Sequence, residues 1–334
     1  MSHWDTLLGH DRVIDQMKRA CERGRLSHAY LMSGPAGVGK KMFARKLAQA
    51  LFCQTPETGS LEACGHCPNC KRFQAGSHPD YYEIGCPEGK KSIPIELFVG
   101  SDDHRGREGL CYELSLKPMA SDRKIAVIDD AHLMQSESAN SLLKTLEEPP
   151  PKSLIVLITD RDEAILPTIR SRCQFVRFQP LPHSELVSLI LSLGYAVHES
   201  QAEALARLSE GSLENARELS QGRLRELTEL VASSFGQDRV NPLKLVPEIL
   251  GWIESAGEST AQRQAAVWLL KVISEDLRLR LRRNVTETVL VDNYHQRLNR
   301  LRDAEQQIQE MMPIPLWLEG LIHDLARLSR GVHA

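Results

Sequence analysis

The chain has 334 residues, 42% of them hydrophobic and 25% charged, with 41 Lys and Arg against 44 Asp and Glu, a formal charge of −3. That length exceeds one ordinary core and suits two or three domains. The charge balance excludes a polycation that coats nucleic acid, while leaving room for a local basic face. No apolar run approaches the roughly 20 residues of a membrane helix. The opening MSHWDTLLGHDR lacks a basic-then-apolar leader pattern, so a cytoplasmic protein is expected. Three of the eight cysteines fall within seven residues, which without an export signal predicts a metal site rather than a disulfide framework.

In chain order, LSHAYLM (26–32) reads as a buried strand that runs into the glycine-rich SGPAGVGKK (33–41). A helix follows from Lys40, with Phe43, Leu47 and Leu51 on one face. Residues 54–71 are polar and read as an insertion. HPDYYEIG (78–85) marks the next strand region, and residues 93–114 are expected to hold a helix. RKIAVIDDAHLM contains a strand over Ile125 to Ile128 that ends in two acids. SESANSLLKTLEEPP (136–150) is an amphipathic helix with Leu142, Leu143 and Leu146 apolar, stopped by Pro149 and Pro150. SLIVLITD (153–160) is another strand. Strands apolar throughout, alternating with helices, predict a parallel sheet covered on both faces. Functional groups then gather at the carboxyl ends of the strands: the loop, Asp129/Asp130 and Thr159. After about residue 178 a proline-marked linker leads into helices, with Trp252, Trp268 and Trp317 as expected core aromatics.

The spacing of Gly34, Gly39 and Lys40 fits a phosphate-binding loop. Such a loop turns backbone N–H groups inward, aims a helix N-terminus at the phosphates and adds the Lys40 charge. Gly37 and Lys41 complete the stretch. Hydrolysis additionally needs Mg²⁺ held by a Ser or Thr hydroxyl, and Lys41 stands at that position. Lys41 cannot ligate a cation; it is expected to neutralise phosphate or to point to solvent. Asp129 and Asp130 form the candidate Walker B pair. Asp130 is one methylene shorter than the Glu that polarises water in ATPases, and a displacement of about 1 Å can cost roughly 10²-fold in rate. ATP or ADP binding is therefore expected to survive better than turnover.

Cys64, Cys67 and Cys70 stand at C-x₂-C-x₂-C, with Cys53 upstream. Four thiolates can close a tetrahedral zinc site, and with no open coordination position its role is structural. His66 ranks below Cys53 as a fourth ligand. Cys21, Cys86, Cys111 and Cys173 read as ordinary buried or half-buried residues.

GRLSHAYLMSGPAGVGKK, the cysteine knuckle, HPDYYEI, ELSLKP, NSLLKTLEEPP and SRC follow one another over residues 24 to 180. In this they resemble the bacterial DNA polymerase III clamp-loader AAA+ subunits. The resemblance implies an α/β AAA+ module over 1–178 with a zinc insertion at 53–70. It further implies a small helical lid over 179–222 and a helical collar over 223–334. The implied work is loading of the sliding clamp onto primed DNA by a five-membered ring of gamma/tau and delta-type subunits. Three residues separate the family's branches. The motor branch, gamma/tau, has Gly-Lys-Thr where this chain has Gly39-Lys40-Lys41, and Asp-Glu where it has Asp129-Asp130. The motor's Gly-Ser-x-Arg lid sequence, whose arginine meets the γ-phosphate, reads Gly211-Ser212-Leu213-Glu214. All three departures point to the delta prime branch, with its own ATPase absent or weak. The resemblance also implies that Arg172 of SRC is an arginine finger for a neighbour's ATP, and that Thr159 occupies the sensor-1 position. By itself Arg172 would read by default as a surface arginine in a salt bridge, and Thr159 reads equally as a strand-end hydroxyl. The resemblance suggests that Lys144 faces DNA phosphates on the ring's inner surface, but pairing with Glu148 at i+4 is the preferred expectation. The basic stretch LRLRLRRN (277–284) is read as a solvated or intersubunit face.

Two other readings stand beside this one. The first is an active gamma-type motor. The second is a zinc-dependent nucleic-acid-binding protein with a vestigial loop, against which Glu57 and Glu62 stand near Lys71 and Arg72.

Overall fold

The structure is a computed structural model that describes residues 2–55, 61–220, 223–235, 240–283 and 288–330. Five residues of the expected zinc insertion, Glu57 among them, and Asn284 of the basic stretch lie outside the described residues. The chain forms two compact units, Met1–Leu189 with Glu210–Glu214, and Ile190–Ser209 with Asn215–Ala334.

The first unit is built on five parallel strands: β1 (Ala29–Ser33), β2 (Tyr81–Ile84), β3 (Lys124–Ile128), β4 (Ser153–Thr159) and β5 (Gln174–Arg177), in the order β2-β3-β4-β1-β5. β1, β3 and β4 are buried along their whole length, as continuous apolar runs require of a sheet covered on both sides. The two-residue strand period divides their side chains between two cores. Tyr30, Met32, Ile125, Val127, Val156 and Ile158 face one core, shared with Val13, Ile14 and Met17 of α1 (Asp11–Glu22) and with Phe43, Ala44 and Leu47 of α2 (Lys40–Phe52). Leu31, Ala126, Ile128, Ile155 and Leu157 face the other. There they meet helices α4 (Glu96–Val99), α5 (Leu110–Ser115), α6 (Ser136–Glu147) and α7 (Pro167–Arg170) through Phe98, Leu114, Leu142 and Ile169. Each such fully buried side chain contributes about 1.5–3 kcal/mol.

Several sequence expectations need correction. The single helix expected within 93–114 is two short ones, α4 and α5. Between them Gly100, Gly106 and Gly109 take left-handed backbone, and a Cβ on Gly109 would lie 2.6 Å from the Gly100 nitrogen. β5 was not anticipated from the sequence. It is an edge strand with only Val176 buried, so QFVR lacks the apolar run that betrays the other strands. Lys144 and Glu148 form no ion pair. Glu148 leaves helical geometry at φ −121°, ψ 70°, which breaks the i+4 register. Leu51 and Leu143 are half-buried, as is Trp252, whereas Trp268 and Trp317 are buried.

The insertion is packed rather than peripheral. Its helix α3 (Pro68–Gln74) buries Asn69 and Cys70, and Phe73 meets the ring of Tyr81 at 4.8 Å. Asn69 Nδ2 donates to the carbonyls of Phe52 and Ala120, both at 3.1 Å. Glu62 pairs with Lys18 at 2.9 Å.

α8 (His183–Ser192) spans the boundary of the units. The second unit is helical: α9 (Glu199–Leu208), α10 (Leu213–Ser220, its first two residues in the first unit), α11 (Arg223–Phe235), α12 (Pro242–Glu254), α13 (Ser259–Arg283), α14 (Thr288–Gln309) and α15 (Ile314–Arg330). α13, α14 and α15 pack in sequence. Trp317 Nε1 donates to the Ala304 carbonyl at 2.9 Å, so the one polar atom of a large buried ring is satisfied. In the stretch read as a solvated face, Leu277 is buried and Arg278 and Arg282 are exposed. Among the described residues no helix is long and apolar enough to cross a membrane.

Candidate functional site

The strand order makes β3, β4 and β1 neighbours, so their carboxyl ends bring Asp129, Thr159 and the Gly34–Lys41 loop to one rim of the sheet. The loop has the backbone of a phosphate cradle. Gly34, Gly37 and Gly39 have φ of 157°, 68° and 101°, conformations that glycine adopts without steric cost. Gly37 also needs its missing side chain for space, since a Cβ there would lie 2.4 Å from Glu214 Cβ and 2.5 Å from Ser212 Oγ. The Leu213 N–H donates to the Gly37 carbonyl at 3.0 Å, so the Ser212–Glu214 segment lies against the loop. This places Glu214, which stands where the motor branch has its lid arginine, beside the cradle.

Lys40 turns inward. It is 7% exposed, and its Nζ donates to the carbonyls of Gly34 at 2.7 Å and Pro35 at 2.6 Å. Burial lowers its pKa, against the opposing pull of Asp160, Asp129, Asp130 and Glu214.

Lys41, with its side chain 45% exposed, reaches two carboxylates that the sequence did not suggest. Its ammonium lies 3.0 Å from Asp129 Oδ2 and 3.0 Å from Glu83 Oε1. Partial burial works against the charge, but the two carboxylates more than offset it and hold the pKa above that of a free lysine. Glu83 is the residue that sequence reasoning missed. It takes both Nε and Nη2 of Arg45 at 2.7 Å and the Tyr81 hydroxyl at 2.7 Å. Burial alone would raise its carboxyl; Arg45, Tyr81 and Lys41 outweigh that and pull it down to about 2. The available signal was the i, i+4 spacing of Lys41 and Arg45, which puts two cations on one helical face.

Asp130 has left-handed backbone at φ 50° and an exposed side chain. Thr159 is buried; its Oγ1 lies 3.3 Å from His132 Nδ1 and accepts from the Arg161 N–H at 3.0 Å. His132 in turn lies 3.2 Å from Asp160 Oδ1. Arg172 stands apart from these groups, after α7. It donates to Glu147 Oε1 at 2.6 Å and to the Thr168 carbonyl at 2.8 Å, with its side chain 34% exposed. Glu147, the last residue of α6, is a second partner not foreseen in the sequence.

The sulfur atoms of Cys53, Cys64, Cys67 and Cys70 all lie within 4.8 Å of one another. Tetrahedral zinc with Zn–S near 2.3 Å needs S···S of about 3.8 Å, so the four thiols fit a metal such as zinc with small adjustment. The backbone supports thiolates: the N–H groups of Cys64, Cys67 and Cys70 point at Cys53, Cys64 and Cys67 Sγ at 3.4, 3.3 and 3.4 Å. The Thr55 hydroxyl, with the His66 and Cys67 N–H groups, pulls the Cys64 thiol down to about 5, whereas burial pushes Cys70 up. His66 turns away and bonds the Cys64 carbonyl at 2.8 Å.

A family model described as DNA polymerase III, delta subunit, matches residues 9–182. The chain is 34% identical over 234 residues to DNA polymerase III subunit delta' of Bacillus subtilis, covering 70% of this chain and 63% of that one. It is 33% identical over 209 residues to subunit delta' of Escherichia coli, covering 63% and 59%. It is 30% identical over 271 residues to subunit tau of Escherichia coli, covering 78% and 39%. The matches thus span less than two thirds of these relatives' own lengths. With more than half of its residues inside the family model and its phosphate loop, cysteine cluster and strand tips in place, the chain belongs to the DNA polymerase III delta-subunit family, close to the delta' sequences.

Proposed function

We propose that the chain works as a delta prime subunit of a DNA polymerase III clamp loader and helps load the sliding clamp onto primed DNA. In this reading it joins gamma/tau and delta subunits in a five-membered ring. Residues 1–178 act as the AAA+ module, 179–222 as a lid and 223–334 as the collar through which the ring assembles. Its own ATP hydrolysis is absent or weak, and Arg172 acts in trans on the ATP of a neighbouring gamma/tau subunit. Gly34, Gly37, Gly39, Lys40, Lys41, Asp129 and Thr159 are the residues that would face a bound nucleotide. Cys53, Cys64, Cys67 and Cys70 would hold zinc, which when bound closes the insertion onto α2 and the sheet.

The observation that carries this reading is the contrast between the two kinds of cation. Lys40 and Lys41 are spent on the chain's own carbonyls and carboxylates. Arg172 is held at the surface by an exposed pair that another anion can replace. The test is Arg172→Ala in a reconstituted complex with gamma/tau and delta. Arginine fingers contribute roughly 10³–10⁵ in rate, so ATP turnover should fall steeply with assembly intact. Unchanged turnover would remove the finger assignment, and brisk DNA-stimulated hydrolysis by the isolated chain would favour a motor instead.

A further inference from the structure

We propose that Lys41 is a built-in replacement for the divalent cation of a phosphate-loop ATPase, so that this site takes no metal. The inference rests on reading residues 34–41 as a phosphate loop, but not on assembly into a ring. In such loops the residue after the lysine supplies a hydroxyl that, with the Walker B aspartate, holds Mg²⁺ against the phosphates. Here that residue is Lys41, in the first turn of α2. Its Nζ is bound at 3.0 Å by Asp129 Oδ2 at the tip of β3 and at 3.0 Å by Glu83 Oε1 on β2. Both carboxylates are pinned. The other contacts of Glu83 run to Arg45 and Tyr81, and Asp129 Oδ1 accepts the Asp130 N–H at 3.1 Å.

The residues do not fit Mg²⁺. The ion demands near-octahedral oxygen ligands at about 2.0–2.1 Å and keeps several waters. Lys41 offers no oxygen, and its ammonium already holds the Asp129 oxygen that a metal would need. A second cation ligated by that oxygen would sit within a few ångströms of the first, where like charges repel. The ammonium cannot do the metal's chemistry, because it has no open coordination position for a phosphate oxygen and a water together. The loss of hydrolysis therefore precedes any question of Asp130 or Glu214.

The test is titration of the full chain, its cysteine site loaded, with a fluorescent ATP analogue, with and without Mg²⁺. Metal-depleted buffer replaces a chelator, which would strip the cysteines. Wild type should show no Mg²⁺-dependent gain in affinity, whether or not it binds the analogue. Lys41→Thr should bind about tenfold or more tightly with Mg²⁺ than without. Lys41→Arg, which keeps the cation, should behave as wild type. Lys41→Thr is also combined with Glu214→Ala, so that a loop closed by Glu214 is not mistaken for a closed metal position. A wild-type affinity raised about tenfold by Mg²⁺ would overturn the proposal. So would the absence of any Mg²⁺-dependent gain in both folded Lys41→Thr variants, as judged by circular dichroism and metal content. Neither result depends on Arg172, so failure here leaves the trans finger untouched.

Discussion

Asp80 offers the sharpest test of how the knuckle, the sheet and the strand-tip site are coupled. It is fully buried. Its carboxylate accepts the N–H groups of Met119, Ala120 and Ser121 at 2.6, 2.8 and 2.8 Å, with the Ser121 hydroxyl at 3.0 Å. The loop it gathers leads directly into β3, whose tip carries Asp129, and the Ala120 carbonyl receives Asn69 of the knuckle. In Asp80→Ala the N–H donors lose a charged acceptor. Hydrogen bonds to charged groups contribute about 1.5–3 kcal/mol each, but Met119 is 80% exposed and its N–H can turn to water. Two effective N–H losses remain, for an expected cost of about 3–6 kcal/mol. Asp80→Asn keeps one acceptor oxygen and should cost about half as much. Burial alone would raise the Asp80 pKa, yet the three N–H groups and the hydroxyl outweigh it and lower it. The charge therefore contributes fully above the ordinary carboxyl pKa of about 3.9, and is lost as pH falls toward the depressed folded value. The assay is urea unfolding at pH 7 with hydrogen exchange read on peptides over 77–86 and 116–124. Faster exchange at 119–121 and along β2 and β3 is expected. A loss below about 0.5 kcal/mol with unchanged exchange would refute the reasoning.

Four further outcomes are expected. Purified chain should carry one equivalent of zinc by elemental analysis, and Cys70→Ser should release it, with faster exchange over α3, because metal binding is coupled to folding of its site. Gly37→Ala should lower stability by about 1–3 kcal/mol in thermal unfolding, since it combines left-handed backbone with displacement of the Ser212–Glu214 segment. Glu147→Gln should change stability by no more than about 1 kcal/mol, the range of exposed ion pairs; a larger loss in urea titration would mean that Arg172 is held too firmly to leave. Glu83→Gln removes a carboxylate pulled down to about 2, whose contribution is full above its unfolded pKa near 4.3 and disappears as pH falls through the folded value. The gap between wild type and Glu83→Gln should therefore shrink as pH falls from about 4.3 toward about 2; loss of metal at low pH is common to both and cancels in the difference.

The parallel sheet was legible because its central strands are apolar between their end residues, and the loop because its glycines and lysine keep fixed spacing between a strand and a helix. β5 was not legible, since an edge strand with one buried residue leaves no pattern. The 93–114 region failed for another reason: a helical run of apolar residues is cut by Gly100 and Gly109, whose left-handed backbone serves close packing, Gly109 against Phe98 and Gly100 against His104 and Glu108. At the candidate site the anomaly of Lys41 was visible in the sequence, but its meaning was not. Which carboxylates it reaches depends on β2 lying beside β3, a fact of strand order and not of local sequence. The same holds for Arg172 and Glu147, which are 25 positions apart. Residue type could name the cations; only the topology could name their anions.

The energetics of those pairs decide what each cation is free to do. Lys40 is buried, and moving it strands two loop carbonyls; Lys41 is gripped by two carboxylates, one of which also binds Arg45 and Tyr81. Freeing Lys40 leaves the two loop carbonyls unpaired, at about 1–3 kcal/mol for each such group, whereas freeing Lys41 removes one charged partner from Glu83, which keeps Arg45 and Tyr81, and from Asp129, which keeps the Asp130 N–H. Arg172 is different. Its pair with Glu147 is open to water on both sides, with side chains 34% and 50% exposed, and such pairs contribute about 0–1 kcal/mol. A phosphate offered by another subunit makes charge-assisted bonds to the guanidinium of about 1.5–3 kcal/mol each. On the proposed reading the exchange of Glu147 for a neighbour's phosphate is therefore downhill, while at Lys40 and Lys41 a phosphate must compete with the chain's own carbonyls and carboxylates. The difference lies in the anions rather than the cations: Lys41 is itself 45% exposed, but its partners Glu83 and Asp129 are 17% and 22% exposed, against 50% for Glu147.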